Sequence, residues 1–150
     1  MGAEARVLFL CTGNSCRSRM AEGFARALHG GRLRAVSAGT RPKEVDPRAV
    51  AVMREVGIEI EGGRGKRPED VAGMYDVVVT VCEAAAEECP RVAGASVIRV
   101  PFDDPPRLAE GSVSEEEALA HYRRVRDEIR AFVEALPEKI RRLGGKGSVG

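Results

Sequence analysis

The chain has 150 residues, of which 43% are hydrophobic and 31% charged, enough apolar content for one domain core and too much for a disordered chain. Its formal net charge of +1 indicates neither a nucleic-acid footprint nor a polybasic membrane patch. No targeting segment is visible. The apolar run 7–11 is too short for a signal-peptide core or a membrane span, and Arg6 stands where a myristoylation motif wants Ser or Thr. A cytoplasmic protein with no membrane or nucleic-acid partner is therefore expected.

In chain order, residues 5–10 form a strand buried on both faces, and the small, polar stretch 11–18 reads as a loop. A helix follows over 18–29, with Met20, Ala21, Phe24, Ala25 and Leu28 on one face, stopped by Gly30 and Gly31. Residues 33–37 form a short strand. A second helix covers 46–56, with Asp46 as N-cap, Pro47 at the first helical position and Val50, Met53 and Val56 inward. The Gly-rich, basic stretch 62–68 reads as a surface loop. Residues 76–81 are a second strongly buried strand, 83–88 a helical turn or two, 96–100 a fourth strand and 101–111 a loop.

The last helix starts near Ser114, with Glu117 three residues on completing a capping box. Leu119, Tyr122, Val125, Ile129, Phe132, Val133 and Leu136 form its apolar stripe. Pro137 should break or kink it. Residues 1–143 make one catalytic domain and 144–150 a disordered tail. Strands alternating with helices give an α/β, three-layer fold: a four-stranded parallel sheet with helices on both faces. Sites in such sheets form beyond the carboxyl ends of the strands. Cys11, Cys82 and the Asp103/Asp104 pair each lie just past a predicted strand end.

The loop 11–18 reads CTGNSCRS and runs from a buried strand into a helix N-terminus. Backbone N–H groups there are unpaired and the helix dipole favours negative charge, so Thr12, Gly13, Asn14, Ser15 and Cys16 can cradle an oxyanion. Gly13 would take φ > 0 so that successive N–H groups turn inward. Arg17 offers a planar fork to two oxygens of one anion. Cys11 sits in the same positive field, which favours the nucleophilic thiolate, and Ser18 can donate to its sulfur. A lone cysteine would be a core residue; a Cys and an Arg six apart at a strand-to-helix junction is a far more specific pattern. A nucleotide P-loop would end in Gly-Lys-Ser/Thr, which is absent. This Cys-x5-Arg-Ser resembles the signature of the low-molecular-weight protein tyrosine phosphatase fold, which serves both phosphatases and arsenate reductases.

Sulfur attack on an XO4 group expels an oxygen that needs a proton. Phe102-Asp103-Asp104-Pro105 supplies two carboxylates in a proline-stiffened loop, although by itself it also reads as a solvated turn. In this fold family the acid directly precedes Pro, which corresponds to Asp104.

The remaining cysteines, Cys82 and Cys89, are seven residues apart. An intact helix would separate them by about 10.5 Å, beyond the roughly 7 Å a disulfide allows, so a bond between them requires the segment to unwind. Two readings stay open from spacing: a pair of buried structural thiols, or a relay. In the relay Cys82 attacks the Cys11 adduct and Cys89 then attacks Cys82, which requires an anion able to accept two electrons. The spacing argues against zinc.

CTGNSCRS at 11–18, Ala21-Glu-Gly23, Ser37-Ala-Gly39, Val79-Thr-Val-Cys82, Cys89-Pro90 and Phe102-Asp-Asp-Pro105 together resemble the thioredoxin-coupled arsenate reductases, over about residues 6–136. The resemblance implies Cys11 as nucleophile, Arg17 and the loop amides as binders of arsenate (or phosphate or sulfate), Asn14 as the loop's brace and Ser18 as thiolate partner. It further implies Asp104 as acid, Cys82 and Cys89 as the redox relay, and thioredoxin as reductant; no cofactor and a monomer are expected. Phosphatases of this fold lack the second cysteine pair and carry tyrosines after Asp-Pro, where Pro106 and Arg107 stand here. Some members hold potassium through residues matching Asn14, Glu22 and Ser37 plus an Asp. Gly65 falls at that Asp position, so no metal is expected.

Overall fold

The computed structural model describes residues 5–60, 62–71, 73–82 and 95–149, the last six by backbone alone. Four parallel strands, β1 (Ala5–Cys11), β2 (Leu33–Gly39), β3 (Val77–Thr80) and β4 (Ser96–Arg99), lie in the order β2-β1-β3-β4. The helices are α1 (Arg17–His29), α2 (Pro47–Glu55), α3 (Pro105–Ala109) and α4 (Glu115–Val149), with a 3-10 turn at Pro68–Val71. Every residue from 7 to 11 is buried, so β1 is covered on both faces, as its unbroken apolar run requires. β4, at the sheet edge, is largely exposed.

The core joins β1 and β3 to Met20 and Phe24 of α1, Val52 and Met53 of α2, and Tyr122, Val125, Ile129, Val133 and Leu136 of α4. Each large apolar side chain removed from water contributes roughly 1.5–3 kcal/mol. His29 Nε2 lies 2.9 Å from the carbonyl of Val133, tying the end of α1 to α4.

Several local expectations shift. In α2 the buried positions are Ala49, Val52 and Met53, and Val50 is only half-buried. The stretch 101–111 is not all loop, because Pro105 and Pro106 occupy the first positions of α3, where a missing N–H costs nothing. Half of the capping box forms as expected: the Glu117 N–H donates to Ser114 Oγ at 3.1 Å. The Glu117 carboxylate instead accepts from the N–H of Val113 at 3.3 Å. α4 passes through Pro137 and continues to Val149. The segment 83–88 lies outside the described residues.

Register sets the site. Cys11 pairs with Gly39 at the carboxyl end of β2. The Val81 N–H donates to the carbonyl of Leu10 at 3.0 Å and the Phe102 N–H to that of Val81 at 3.1 Å. Three chain segments that follow strand ends are thereby laced together at one edge of the sheet, where ligands bind in open α/β folds.

Candidate active site

β1 ends at Cys11 and α1 begins at Arg17, so 12–16 must turn the chain within five residues. Cys11 Sγ lies 2.8 Å from Ser18 Oγ and accepts the N–H of Asn14 at 3.1 Å. Ser18 Oγ itself accepts from Asn14 Nδ2 at 2.9 Å, which leaves the hydroxyl proton for the sulfur. The Asn14 N–H and the Ser18 hydroxyl are thus both placed to donate to Cys11 Sγ. Asn14 Oδ1 accepts the N–H of Lys66 at 2.9 Å, so both ends of this fully buried amide are engaged.

The left-handed residue of the loop is Asn14, at φ 47°, and not Gly13 as the sequence suggested. A short polar side chain tolerates that region, and the two side-chain bonds of Asn14 hold it there. The glycines the loop depends on lie behind it. A Cβ on Gly39 would fall 2.5 Å from the carbonyl oxygen of Thr12 and 2.7 Å from the nitrogen of Asn14. One on Gly65 would lie 2.8 Å from both the Gly13 oxygen and Asn14 Cβ. The stretch 62–68, read as a surface loop, is in part a back wall.

Arg17 is mostly buried. It donates through Nη1 to the carbonyl of Phe102 at 2.8 Å, and its Nη2 stands 3.5 Å from Asp104 Oδ1. The fork expected to grip the anion thus also holds the acid segment over the loop. Asp104 precedes α3, but its side chain makes no capping bond, so the carboxylate stays available to the cleft. Asp103 points elsewhere, to Arg124 at 2.9 Å. Burial pushes the Cys16 thiol well above its usual range, with the nearby Asp46 adding to the effect, so Cys16 is held as a neutral thiol.

A cleft of about 640 Å³ is lined by Cys11, Arg17, Cys82 and Asp104, with Lys43 and Arg107 among its other walls. Cys82 is buried, with its sulfur 3.4 Å from Thr12 Oγ1. The structure therefore brings together Cys11, the loop, Arg17, Ser18, Asp104 and Cys82; Cys89 lies outside the described residues. Lys43 and the Thr12–Cys82 contact were not foreseen, since each joins segments that are distant in sequence.

The oxygens tied by the resemblance to potassium are otherwise employed. Glu22 accepts from Ser37 Oγ at 2.6 Å and pairs with Arg26 at 2.7 Å, and Asn14 Oδ1 takes the Lys66 N–H. The guanidinium of Arg19 lies on the Asn14 carbonyl at 2.7 Å, and Gly65 adds no side-chain ligand. A set already served by internal cations and donors does not fit a further cation.

The sequence pattern of the family described as low molecular weight phosphotyrosine protein phosphatase matches residues 6–144. An arsenate reductase of Bacillus subtilis is 45% identical over 126 residues, spanning 82% of this chain and 88% of that relative. A solved structure described as an arsenate reductase in the phosphate binding state aligns with a TM-score of 0.76 at 34% identity, over 91% of this chain and 98% of the other. A low molecular weight protein tyrosine phosphatase from T. tengcongensis aligns with a TM-score of 0.69 at 30% identity, over 91% and 99%.

Proposed function

This chain belongs to the low molecular weight phosphotyrosine protein phosphatase family, and from that premise we propose that it is an arsenate reductase. The observation that carries the reading is the second thiol: Cys82 lines the same cleft as Cys11. Phosphoester hydrolysis has no use for it. A reaction that deposits two electrons on the bound anion does.

Arsenate enters the loop, its charge met by Arg17 and the inward N–H groups of residues 12–16. The Cys11 thiolate attacks arsenic, and an arsenic-bound hydroxyl takes a proton from Asp104 and leaves as water, giving a Cys11 thioester of As(V). Cys82, as thiolate, attacks Cys11 Sγ. The S–As bond breaks with its electron pair going to arsenic, so arsenite leaves as As(III) and a Cys11–Cys82 disulfide remains. Cys89 then attacks Cys82, restoring the Cys11 thiolate and leaving Cys82–Cys89 oxidised. A dithiol protein, thioredoxin, reduces that bond. In sum, arsenate and two thiols give arsenite, water and one disulfide. We propose that the protein works as a monomer in the cytoplasm, where such reductants operate.

The test is NADPH consumption with arsenate, thioredoxin and thioredoxin reductase, run beside a chromogenic phosphate ester and with glutathione as alternative donor. Thioredoxin-dependent turnover is expected, with hydrolysis of the ester far slower. Cys89→Ala is expected to release about one arsenite per enzyme and then stop. Full steady-state turnover by that variant would discard the relay, and faster ester hydrolysis than arsenate reduction would favour the phosphatase reading.

A further inference from the structure

A loop that binds an anion through its amides must turn its carbonyls the other way, because in a trans peptide the C=O and the following N–H point in opposite directions. The carbonyls here are all held outward. Cys11 O accepts from the N–H of Thr40 at 3.1 Å, Thr12 O from Arg41 at 2.8 Å, Gly13 O from Lys43 at 2.8 Å, Ser15 O from Asp46 at 2.9 Å and Cys16 O from Met20 at 2.9 Å. The geometry has a direct check. With Gly13 O held outside, the next N–H, that of Asn14, points inward and meets Cys11 Sγ at 3.1 Å.

The carbonyl of Asn14 is held differently. Its donor is a side chain, Arg19 Nε at 2.7 Å, and the same guanidinium donates through Nη2 to the carbonyl of Gly63 at 3.2 Å. Arg19 lies in the first turn of α1 and is buried, 5% exposed. Asn14 is also the residue in the left-handed region, where the backbone has least intrinsic preference to stay. The Asn14–Ser15 peptide thus combines an unfavourable dihedral with one charge-assisted bond from a guanidinium that is itself tied to Gly63, and the N–H that this bond aims inward is that of Ser15.

We propose that Arg19 is a positioning residue for the oxyanion loop: it fixes the Asn14–Ser15 peptide so that the Ser15 N–H faces the bound anion, and it steadies Asn14, whose own N–H donates to Cys11 Sγ. This deepens the reading of 11–18 as an anion-binding nucleophile loop and rests on it. The effect of Arg19 passes through Asn14, and the other carbonyls, held by backbone N–H groups, have no side chain through which a substitution could release them in the same way.

The test uses the full chain as wild type, Arg19→Gln, Arg19→Lys and, as a control on the same helix, Arg26→Gln, which loses the ion pair to Glu22. Three quantities are read at neutral pH: the Kd for inorganic phosphate by calorimetry, the iodoacetamide alkylation rate of Cys11 by peptide mass mapping, and the phosphate-induced shift of the Ser15 amide by 15N NMR. Loss of one charge-assisted clamp should weaken phosphate binding about tenfold in Arg19→Gln and slow Cys11 alkylation several-fold. The Ser15 shift should shrink. Arg19→Lys, which keeps the charge but reaches only one carbonyl, should recover the alkylation rate and not the phosphate affinity. Arg26→Gln should leave all three unchanged. A merely structural Arg19 would lower the melting temperature and leave these readouts alone. If Arg19→Gln does not fold, Arg19→Lys decides: wild-type phosphate affinity and a wild-type Ser15 shift in it overturn the proposal. A wild-type protein that binds no phosphate would instead sink the reading of the loop itself.

Discussion

The nucleophile loop and the acid segment face the same cleft, yet they are held in different ways. In the loop, Asn14 and Ser18 are fully buried, each carbonyl from Cys11 to Cys16 has a donor, and two glycines let the backbone of neighbouring segments press against it. In the acid segment, the Asp103 and Asp104 side chains are 60% and 42% exposed, and the ion pairs that hold them are with Arg124 and Arg17. The difference matches what the proposed roles would ask of each. Amide dipoles stabilise an anion only if they are already aimed when it arrives. An acid must give up a proton and regain it from water, which favours an exposed, lightly tethered carboxylate. Arg17 belongs to both, touching Phe102 and Asp104 from the loop side.

The sharpest way to break this comparison is Gly39→Ala. The added Cβ would lie within 3 Å of the backbone of Thr12, Gly13 and Asn14, and backbone cannot yield as a side chain can. Several loop donors would be displaced together. Removing one such donor costs about 10²–10³ in rate elsewhere, so kcat/KM should fall by more than about a thousandfold. The stability cost should stay at about 1–3 kcal/mol. A folded Gly39→Ala protein with near-normal turnover would mean the loop is not preorganised.

Asp104→Asn addresses the other half. Loss of a general acid is expected to lower kcat about 10²–10³-fold while leaving phosphate affinity within about threefold. Asp103→Asn, whose partner is an exposed arginine, should change kcat less than about twofold. Equal effects of the two substitutions would undo the assignment of Asp104 that the family resemblance and the Arg17 contact both favour.

Much of this was legible in the sequence because it is local. The chemistry of 11–18 sits within eight residues, and the strand ends that gather Cys11, Cys82 and Asp104 follow from the alternation of apolar runs and helices. What periodicity could not give is the contact made across sequence. Arg19 is one of several cations on its helix, Gly39 stands out only as part of a motif, and Gly65 lies in a stretch that reads as a surface loop. Their significance comes from a backbone lying against them, which composition does not encode. Pro137 does not break α4, which packs Ile129, Val133 and Leu136 into the core immediately before it and continues to Val149.

Asp46 shows how far the support of the loop extends. The sequence marks it as the N-cap of α2, and its Oδ1 does accept the Arg48 N–H at 2.9 Å. Its own N–H holds Ser15 O, and its Oδ2 receives the hydroxyl of Tyr122 from α4 at 2.5 Å. Burial, reinforced by the Asp46 carboxylate, raises the Tyr122 hydroxyl well above the ordinary tyrosine range. The sign of the linkage follows. Unfolded tyrosine loses its proton near pH 10, whereas folded Tyr122 keeps it beyond that point. Above about pH 10 the unfolded state therefore binds fewer protons, and stability falls as pH rises; below that the contribution is complete. Tyr122→Phe should cost about 1 kcal/mol at neutral pH and flatten the alkaline decline in denaturant midpoint relative to wild type. Phosphate affinity should hardly move, because the contact to Ser15 is made by the Asp46 backbone and not by its carboxylate. A large loss of phosphate binding in Tyr122→Phe would show that the loop is less completely fixed by its immediate neighbours than the carbonyl pattern requires, and would narrow its difference from the acid segment.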